Sequence, residues 1–248
     1  MMKRKAHFVF VEQTESTNVY LQKLLFTDEP EQFTVVWTDN QTKGKGQGNN
    51  KWVSEPGKNL TFSLLFKTEN MPPENLFIIN KSIALSLVQY LNKQYQLDAA
   101  VKWPNDIIVS NMKIAGILID NFFVGEHIFC IIGIGININQ TEFQSMQLPA
   151  VSLKNIMGND YIIKQCLNQL TEILISNLIK TESEDRNIIV GDYDEYLLFR
   201  NIERSYMYNN CKVTGVIEGV NNSGQLVFRN SLTGKTDFID HGNFGYNL

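Results

Sequence analysis

Residues 41–52 form a loop whose composition suits a negatively charged ligand. The segment, QTKGKGQGNNKW, holds three glycines and three lysines. Glycine tolerates positive φ angles, so we expect successive backbone N–H groups to converge on one anion, with Lys45 adding charge to this nest. The Gly-Lys-Ser/Thr ending of a Walker A loop is absent. Composition leaves a solvated hairpin tip equally open as an interpretation.

A second lysine, Lys102, lies at the predicted end of a strand and is followed by Trp103 and Pro104. These bulky neighbours restrict the backbone, so the ammonium group of Lys102 would be held in one position. Asn105 and Asp106 can form an Asx-type turn that fixes the direction of the lysine side chain. The segment therefore predicts a positioned ammonium group, with an ordinary exposed strand end as the alternative.

Two glycines, Gly133 and Gly135, interrupt an apolar run that leads into Asn137 and Asn139. A glycine inside a strand often marks the close approach of a ligand to the backbone. A regular strand would place both asparagines on the same face as the glycines. The third glycine and the helix of a Rossmann fingerprint are missing. A β-bulge is the competing interpretation.

The polar segment ESTN, residues 15–18, precedes apolar residues spaced by three and four positions. This pattern is typical of a helix N-cap, which is its simplest interpretation. The start of a helix can also present hydroxyl groups and the positive end of its dipole to a ligand. Ser16 and Thr17 are therefore candidates for ligand contacts as well as for capping.

Hydrophobic periodicity predicts the elements that must position these segments. Strands are predicted at residues 8–11, 35–37, 60–66, 99–103, 107–109, 114–119 and 128–134. Helices are predicted after Ser16 and over residues 76–97, 161–179 and 192–199. Short strands at 213–220 and 225–229, joined by a turn at 221–224, indicate a separate small β unit. We predict an α+β fold with a large domain over residues 1–202 and a small one over 203–248.

Composition restricts the function classes. The 248 residues are 43% hydrophobic and carry a net charge of −4, which gives no general attraction to nucleic acid or to anionic membranes. Three widely spaced cysteines without a CxxC pair are typical of a reducing cytosol, so a cytoplasmic location is predicted. The apolar run near the start is too short for a signal peptide or a membrane span. The three histidines have no metal-ligand spacing, and no metal ligands are predicted.

Taken together, these segments resemble biotin–protein ligases in order and spacing over residues 8–200. The shared motifs are Ser-Thr-Asn at 16–18, the glycine loop ending in Trp52, Lys-Trp-Pro-Asn-Asp at 102–106, Lys-x-Ala-Gly-Ile-Leu at 113–118, and Gly-x-Gly-x-Asn at 133–137. The resemblance implies a mixed, mainly antiparallel sheet flanked by helices, as in class II synthetases and biotin–lipoate ligases. It also implies a small SH3-like C-terminal β-barrel.

The resemblance implies activation of biotin with ATP and Mg²⁺ to biotinyl-5′-AMP, then transfer to a lysine of a biotin carboxyl-carrier domain. Lys102 would be the catalytic cation. The implied biotin-binding residues are Ser16, Thr17, Asn18, Gln41, Lys45, Gly46, Gln47, Lys102, Gly116, Gly133 and Gly135. The implied nucleotide-binding residues are Lys45, Trp52, Lys102 and Asn137.

The loop departs from the family pattern, since it has lysine where arginine is common and reads QGNNK at 47–51. The Ser-Thr-Asn motif begins at residue 16, so we expect the monofunctional class, with no helix-turn-helix and no DNA binding. A lipoate or octanoate ligase or transferase is the alternative within the fold, although its Arg-Arg-x-Ser/Thr-Gly-Gly-Gly loop is missing. A biotin-sensing binder without turnover is the alternative of another class. A monomer and a homodimer are both open.

Overall fold

The computed structural model describes residues 5–48, 50–68, 71–143, 148–183 and 185–247, and a seven-stranded sheet lies at its centre. The strand order is β1-β2-β3-β7-β6-β5-β4. The strands are β1 (His7–Thr14), β2 (Thr34–Gln41), β3 (Leu60–Thr68), β4 (Ala99–Lys102), β5 (Asp106–Val109), β6 (Met112–Val124) and β7 (His127–Ile136). β1 is parallel to β2, and the other neighbouring pairs are antiparallel. The predicted mixed, mainly antiparallel sheet of an α+β fold is confirmed.

Apolar side chains project from both faces of this sheet, because successive strand residues point to opposite sides. Val35 and Leu64 belong to one buried cluster. Their neighbours Val36 and Leu65 belong to another, which also contains Leu21 of the first helix. Each face is therefore covered by its own helices. The helices are α1 (Thr17–Thr27), α2 (Phe77–Tyr95), α3 (Leu153–Met157), α4 (Ile163–Thr181) and α5 (Arg186–Glu195).

The central helix α2 follows the predicted periodicity closely. Ile79, Ile83, Leu87 and Leu91 recur every four residues, and all four are buried against the sheet. The helix ends where Gln96 adopts a left-handed conformation with φ of 55°. Among the described residues, no helix is both long and apolar enough to cross a membrane.

The prediction of a helix over residues 192–199 was wrong in its bounds, since α5 ends at Glu195. The following residues pair with the edge strand β4 instead. Val101 N–H donates to Tyr196 O at 2.8 Å, and Leu198 N–H donates to Val101 O at 2.8 Å. This tertiary pairing satisfies the backbone groups of an edge strand, and it outweighs the local helical spacing of apolar residues.

The C-terminal part of the chain forms a five-stranded antiparallel sheet with the order β11-β10-β9-β8-β12. Its strands are β8 (Glu203–Tyr208), β9 (Cys211–Val220), β10 (Leu226–Asn230), β11 (Thr236–Ile239) and β12 (Phe244–Tyr246). Lys81 of α2 donates to Val220 O at 2.5 Å, and the indole N–H of Trp103 donates to Gly224 O at 2.9 Å. The small sheet is thus fastened to α2 and to the residue that follows β4.

Candidate functional site

Segments that are far apart in the sequence line one cavity of about 960 Å³ on the large sheet. It takes in twelve of the thirteen different residues predicted for biotin or nucleotide. Those twelve lining residues are Ser16, Thr17, Asn18, Gln41, Lys45, Gly46, Gln47, Trp52, Lys102, Gly116, Gly133 and Gly135.

 All eleven predicted biotin contacts are therefore brought together, along with Trp52 from the nucleotide set, and only Asn137 stays outside this lining.

The start of α1 supplies one wall of the cavity. Ser16 occupies the N-cap position, but its side chain makes no capping hydrogen bond. The Thr17 N–H instead donates to Gln41 Oε1 at 2.9 Å, and the Thr17 hydroxyl lies 3.3 Å from the same oxygen. Gln41 of β2 therefore takes over part of the capping, and the predicted capping role of the Ser16 side chain was wrong.

A buried serine that the sequence analysis missed ties this wall to the sheet. Ser63 Oγ lies 2.7 Å from Thr17 Oγ1 and 2.6 Å from Asn18 Oδ1. The Asn18 amide also donates to Asp120 Oδ2 at 2.8 Å. The available signal was a polar residue inside the otherwise apolar run of β3. We call Ser16, Thr17, Asn18, Gln41 and Ser63 the neutral cluster.

Two lysines and a carboxylate form the opposite wall. Lys102 Nζ lies 3.3 Å from Asp106 Oδ2, and Lys113 Nζ lies 2.5 Å from Asp106 Oδ1. The β4–β5 hairpin pairs Lys102 with Asp106, and β5 pairs Asp106 with Gly116 of β6. We call Lys102, Asp106 and Lys113 the charged cluster. Lys113 was not among the predicted site residues, although it lies in a motif that the sequence analysis quoted.

The predicted Asx-type turn does not hold Lys102. Asn105 donates its side-chain amide to Ile117 O at 2.8 Å, so it fastens the hairpin to β6. Asp106 directs the lysine through the ion pair instead. The lysine side chain is only 21% exposed, which rules out the alternative of an ordinary exposed strand end.

The glycines of β7 form the floor between the two clusters. A Cβ atom on Gly133 would lie 2.3 Å from Asn18 Oδ1, and one on Gly135 would lie 2.3 Å from the Trp52 indole. The pairing of β7 with β3 and β6 runs without a register shift, so the β-bulge interpretation was wrong. The side chains of Asn18 and Trp52 approach the backbone closely at these glycines, and the approach of a ligand stays a prediction.

The glycine loop is a short hairpin, and the predicted anion nest was wrong. Gly46 N–H donates to Asn50 O at 2.8 Å, and Trp52 N–H donates to Gly44 O at 3.1 Å. Of the three loop glycines, only Gly48 has a positive φ, at 62°. The backbone donors are therefore used inside the hairpin. Asn49, within the segment that departs from the family pattern, lies outside the described residues.

Gly44 is required for a different reason, which is the position of Trp52. A Cβ atom on Gly44 would lie 2.2 Å from the Trp52 carbonyl oxygen. The Trp52 indole covers Gly135, and Lys113 Nζ lies 5.9 Å from its ring centroid. The loop thus carries its tryptophan onto the sheet between the floor and the charged cluster.

Asn137 does not reach the cavity, so its predicted contact with the nucleotide has no support in the geometry. β7 ends at Ile136, so the strand alternation that was predicted to place Asn137 on the face of the glycines does not extend to it. The Asn137 side chain is buried and donates to Val151 O at 3.1 Å and to Lys113 O at 3.3 Å. Its observed contacts hold the backbone beside the charged cluster.

The described residues contain no cluster of three His, Cys, Asp or Glu side chains that could hold a metal ion. Burial raises the pKa of the Cys130 thiol to about 12, so this cysteine is protonated at neutral pH and a poor nucleophile. The chemistry of the cavity therefore rests on lysine, carboxylate, hydroxyl and amide groups.

The separation of the two clusters follows from the sheet register. Gly133 pairs with Leu118 and touches the neutral cluster, whereas Gly135 pairs with Gly116 beside the charged cluster. Two residues along a strand span about 7 Å. The cavity therefore offers uncharged donors and acceptors near Gly133 and two ammonium groups near Gly135, at positions about 7 Å apart along β7.

Comparison with known proteins places this arrangement in a family. The model of the biotin/lipoate A/B protein ligase family matches residues 10–137, which include both clusters and the glycine loop. The chain belongs to this family. Human biotin–protein ligase is 31% identical over 138 residues, which are 54% of this chain and 19% of the human protein. The bifunctional ligase/repressor BirA of Escherichia coli is 30% identical over 218 residues, which are 86% of this chain and 66% of that protein.

A solved structure of the same family extends the likeness to nearly the whole chain. The biotin protein ligase from Aquifex aeolicus, in complex with biotin and ATP, superposes with a TM-score of 0.76 and 26% identity. The superposition covers 96% of this chain and 97% of the Aquifex chain. The C-terminal sheet is thus included in the shared fold, although the family model itself ends before it.

Proposed function

We propose that this chain activates biotin with ATP and transfers it to a lysine of a biotin carboxyl-carrier domain. The observation that carries the proposal is the pattern of the cavity, which has a neutral hydrogen-bonding end beside Gly133 and a cationic end beside Gly135. Biotin has a neutral ureido ring and a carboxylate at the end of an aliphatic chain. The relatives are biotin ligases, which supports this choice of acid.

The neutral cluster would bind the ureido ring. Hydroxyl groups of Ser16 and Thr17 and the amide of Gln41 supply both donors and acceptors for it. Gly133 leaves room for the Asn18 amide against β7, so the ring would lie next to that amide. The carboxylate would then extend along the floor towards Lys102.

Adenylation would take place at the charged cluster. A carboxylate oxygen attacks the α-phosphorus of ATP, the bond to the β-phosphate oxygen breaks, and pyrophosphate leaves. Two anions must meet in this step, so fixed cations lower its barrier. Lys102 would contact the carboxylate and the α-phosphate, and Lys45 would contact the phosphates from the loop. Trp52 would contact the adenine ring by stacking.

Mg²⁺ would enter as part of the nucleotide substrate. This ion commonly binds through one or two carboxylates together with the substrate phosphates. Charge neutralisation of the phosphates by Mg²⁺ would leave the two lysines to act at the carboxylate end.

Transfer would follow in the same cavity. The amine of a carrier lysine attacks the acyl carbon, the bond to the phosphate oxygen breaks, and AMP leaves. The mixed anhydride is sensitive to water, so the loop at residues 42–52 would cover it between the two steps.

Incubation with ATP, Mg²⁺, biotin and a biotin-carrier domain tests the proposal. We expect the intact mass of the carrier to increase by one biotinyl group, and Lys102→Met should abolish the increase. Parallel incubations replace biotin with lipoate or octanoate. Modification by those acids alone would establish the alternative within the fold. Biotin binding in a thermal-shift assay without pyrophosphate release would establish a sensing binder.

A further inference from the structure

An aromatic ring from the C-terminal sheet lies against Lys102. The Lys102 Nζ is 5.4 Å from the centroid of the Tyr246 ring, within the range of a cation–π contact. Asp106 Oδ2 lies 3.3 Å from the same ammonium. The lysine that the proposed reaction depends on is therefore held by two partners, of which one comes from the last strand, β12.

The Tyr246 ring has a fixed orientation because other rings pack around it. Its centroid is 5.9 Å from that of Tyr206 and 5.6 Å from that of Phe244, with interplanar angles of 85° and 88°. Edge-to-face packing of this kind stabilises aromatic clusters. The face presented to Lys102 is thus set by the C-terminal sheet itself.

The C-terminal sheet is in turn fixed relative to the charged cluster. Trp103, the residue after Lys102, donates its indole N–H to Gly224 O at 2.9 Å. Gly224 packs so closely on Phe77 of α2 that an added Cβ would lie 2.5 Å from that ring. Hydrogen bonds and packing therefore join β4 and the turn at 221–224 directly, next to the lysine.

The hydroxyl of Tyr246 stays protonated. Burial is the main cause that raises the pKa of Tyr246 well above its ordinary value, and the nearby Tyr193 and Tyr206 hydroxyls add to it. A neutral phenol cannot form an ion pair with Lys102. The ring face, with its partial negative charge, is then the group that attracts the ammonium.

We propose that Tyr246 is a positioning residue that holds the Lys102 ammonium over the cavity through its ring face. The inference rests on the proposed adenylation and adds a specific role for the C-terminal sheet in it. Asp106 restrains the ammonium from the β5 side, and Tyr246 restrains it from the β12 side. The sheet would thereby act on the first chemical step without touching either substrate.

Variants of the full-length chain test this role. Tyr246→Phe keeps the ring and should release pyrophosphate within about twofold of the wild-type rate, whereas Tyr246→Leu should lower kcat about tenfold, the size expected of one partly desolvated cation–π contact. The KM for biotin should change less than about twofold, because the neutral cluster is untouched. Phe238→Leu removes an exposed ring of β11 in the same sheet and is the matched control. An equal loss of kcat in Phe238→Leu, or a wild-type kcat in Tyr246→Leu, would overturn the proposal.

A fluorinated series covers the case in which Tyr246→Leu does not fold. Phenylalanine carrying one, two or three fluorine atoms at position 246 keeps the shape of the ring and progressively weakens its negative face. We expect kcat to fall stepwise with fluorination while the thermal midpoint stays constant. A kcat that does not respond to fluorination would contradict the assigned role.

Nuclear magnetic resonance separates this proposal from the proposed function. With lysine labelled at the ε carbon, ring currents from Tyr246 should shift the Lys102 ε-methylene protons upfield, and Lys102→Met assigns the signal. Phe238→Leu should leave the shift in place, and Tyr246→Leu should remove it. A protein that shows this pattern but releases no pyrophosphate would refute the proposed reaction alone. Absence of the upfield signal in the wild type would refute the positioning contact, whatever the activity.

Discussion

Two regions of the molecule bring lysines to the same cavity, and they hold them differently. In the hairpin of β4 and β5, Lys102 and Asp106 are 21% and 14% exposed. In the glycine loop, which brings Lys45 and Lys51 to the cavity, Lys43 lies outside the lining and pairs with Glu15 at 2.7 Å, and these two side chains are 70% and 64% exposed. A lysine–carboxylate pair is thus shielded from water in the hairpin and surrounded by water in the loop.

This difference assigns different tasks to the two regions. A charge pair with little solvent contact keeps its geometry and its strength, whereas an exposed pair is weakened by water and salt. The hairpin therefore presents a cation that is in place before the ligand arrives, which is the arrangement that lowers a barrier. The loop presents charges that can adapt to the ligand and enclose it.

The largest effect should come from the hairpin lysine. Lys102→Met should lower the rate of biotin-dependent pyrophosphate release about a hundredfold or more, since removal of one preorganised charge-stabilising group has this size. The thermal midpoint should stay near that of the wild type. Lys93→Met, which changes an exposed lysine of α2, is the control. Pyrophosphate release at the wild-type rate would remove Lys102 from the mechanism.

A smaller effect should follow from removing the carboxylate between the two lysines. Asp106→Asn leaves Lys102 and Lys113 facing each other without a counter-charge. Hydrogen bonds to charged groups contribute about 1.5–3 kcal/mol, so kcat should fall about tenfold or more. Steady-state kinetics with ATP as the varied substrate gives the measurement. If the kcat of Asp106→Asn equals that of the wild type, the hairpin is no more preorganised than the loop.

Limited digestion with trypsin compares the two regions directly. Without ligands, cleavage should occur after the lysines of the loop and not after Lys102, whose backbone pairs in the sheet. Biotin and ATP together should slow the loop cleavage about fivefold or more if the loop closes over them. Mass spectrometry identifies the sites. Loop cleavage that ligands leave unchanged would mean that the hairpin tip stays open throughout the reaction.

The smallest effect should come from the exposed pair. Lys43 lowers the pKa of Glu15 through a hydrogen bond and its charge. Any contribution of this pair is complete at pH 7 and is lost as the pH falls through the lowered pKa of Glu15. Because both groups are exposed, Glu15→Gln should change the KM for ATP less than about twofold at pH 7. A change as large as that of Asp106→Asn would abolish the distinction drawn between the regions.

The sequence predicted elements whose apolar residues recur regularly, such as α2 and the strands of the large sheet. It did not predict the bounds of α5, because only Ile189 and Tyr193 of that helix are fully buried and its register depends on neighbours. Residues Tyr196 to Leu198 were assigned to a helix on local spacing, and the unpaired edge of β4 decided otherwise.

Prediction of the site also succeeded in part. Motifs with fixed spacing predicted the residues that line the cavity, whereas the glycine content of the loop gave the wrong role for Gly44. Gly44 makes room for the Trp52 carbonyl and does not need a positive φ. Ser63 and Tyr246 were missed because each acquires its role from segments at least 45 residues away in the sequence. Such contacts depend on the sheet register and on the docking of the C-terminal sheet, which a linear motif does not encode.

The bare floor at Gly133 and Gly135 also limits how this protein can evolve. Any side chain added at either position would enter space already taken by Asn18 or Trp52, and no smaller residue exists. Mutation of the floor can therefore only obstruct the cavity and never enlarge it. A lineage that changes the acid it accepts must do so through the walls, where Ser16, Thr17 and Gln41 line the cavity. The family can in this way keep one rigid platform and vary its substrates around the edge.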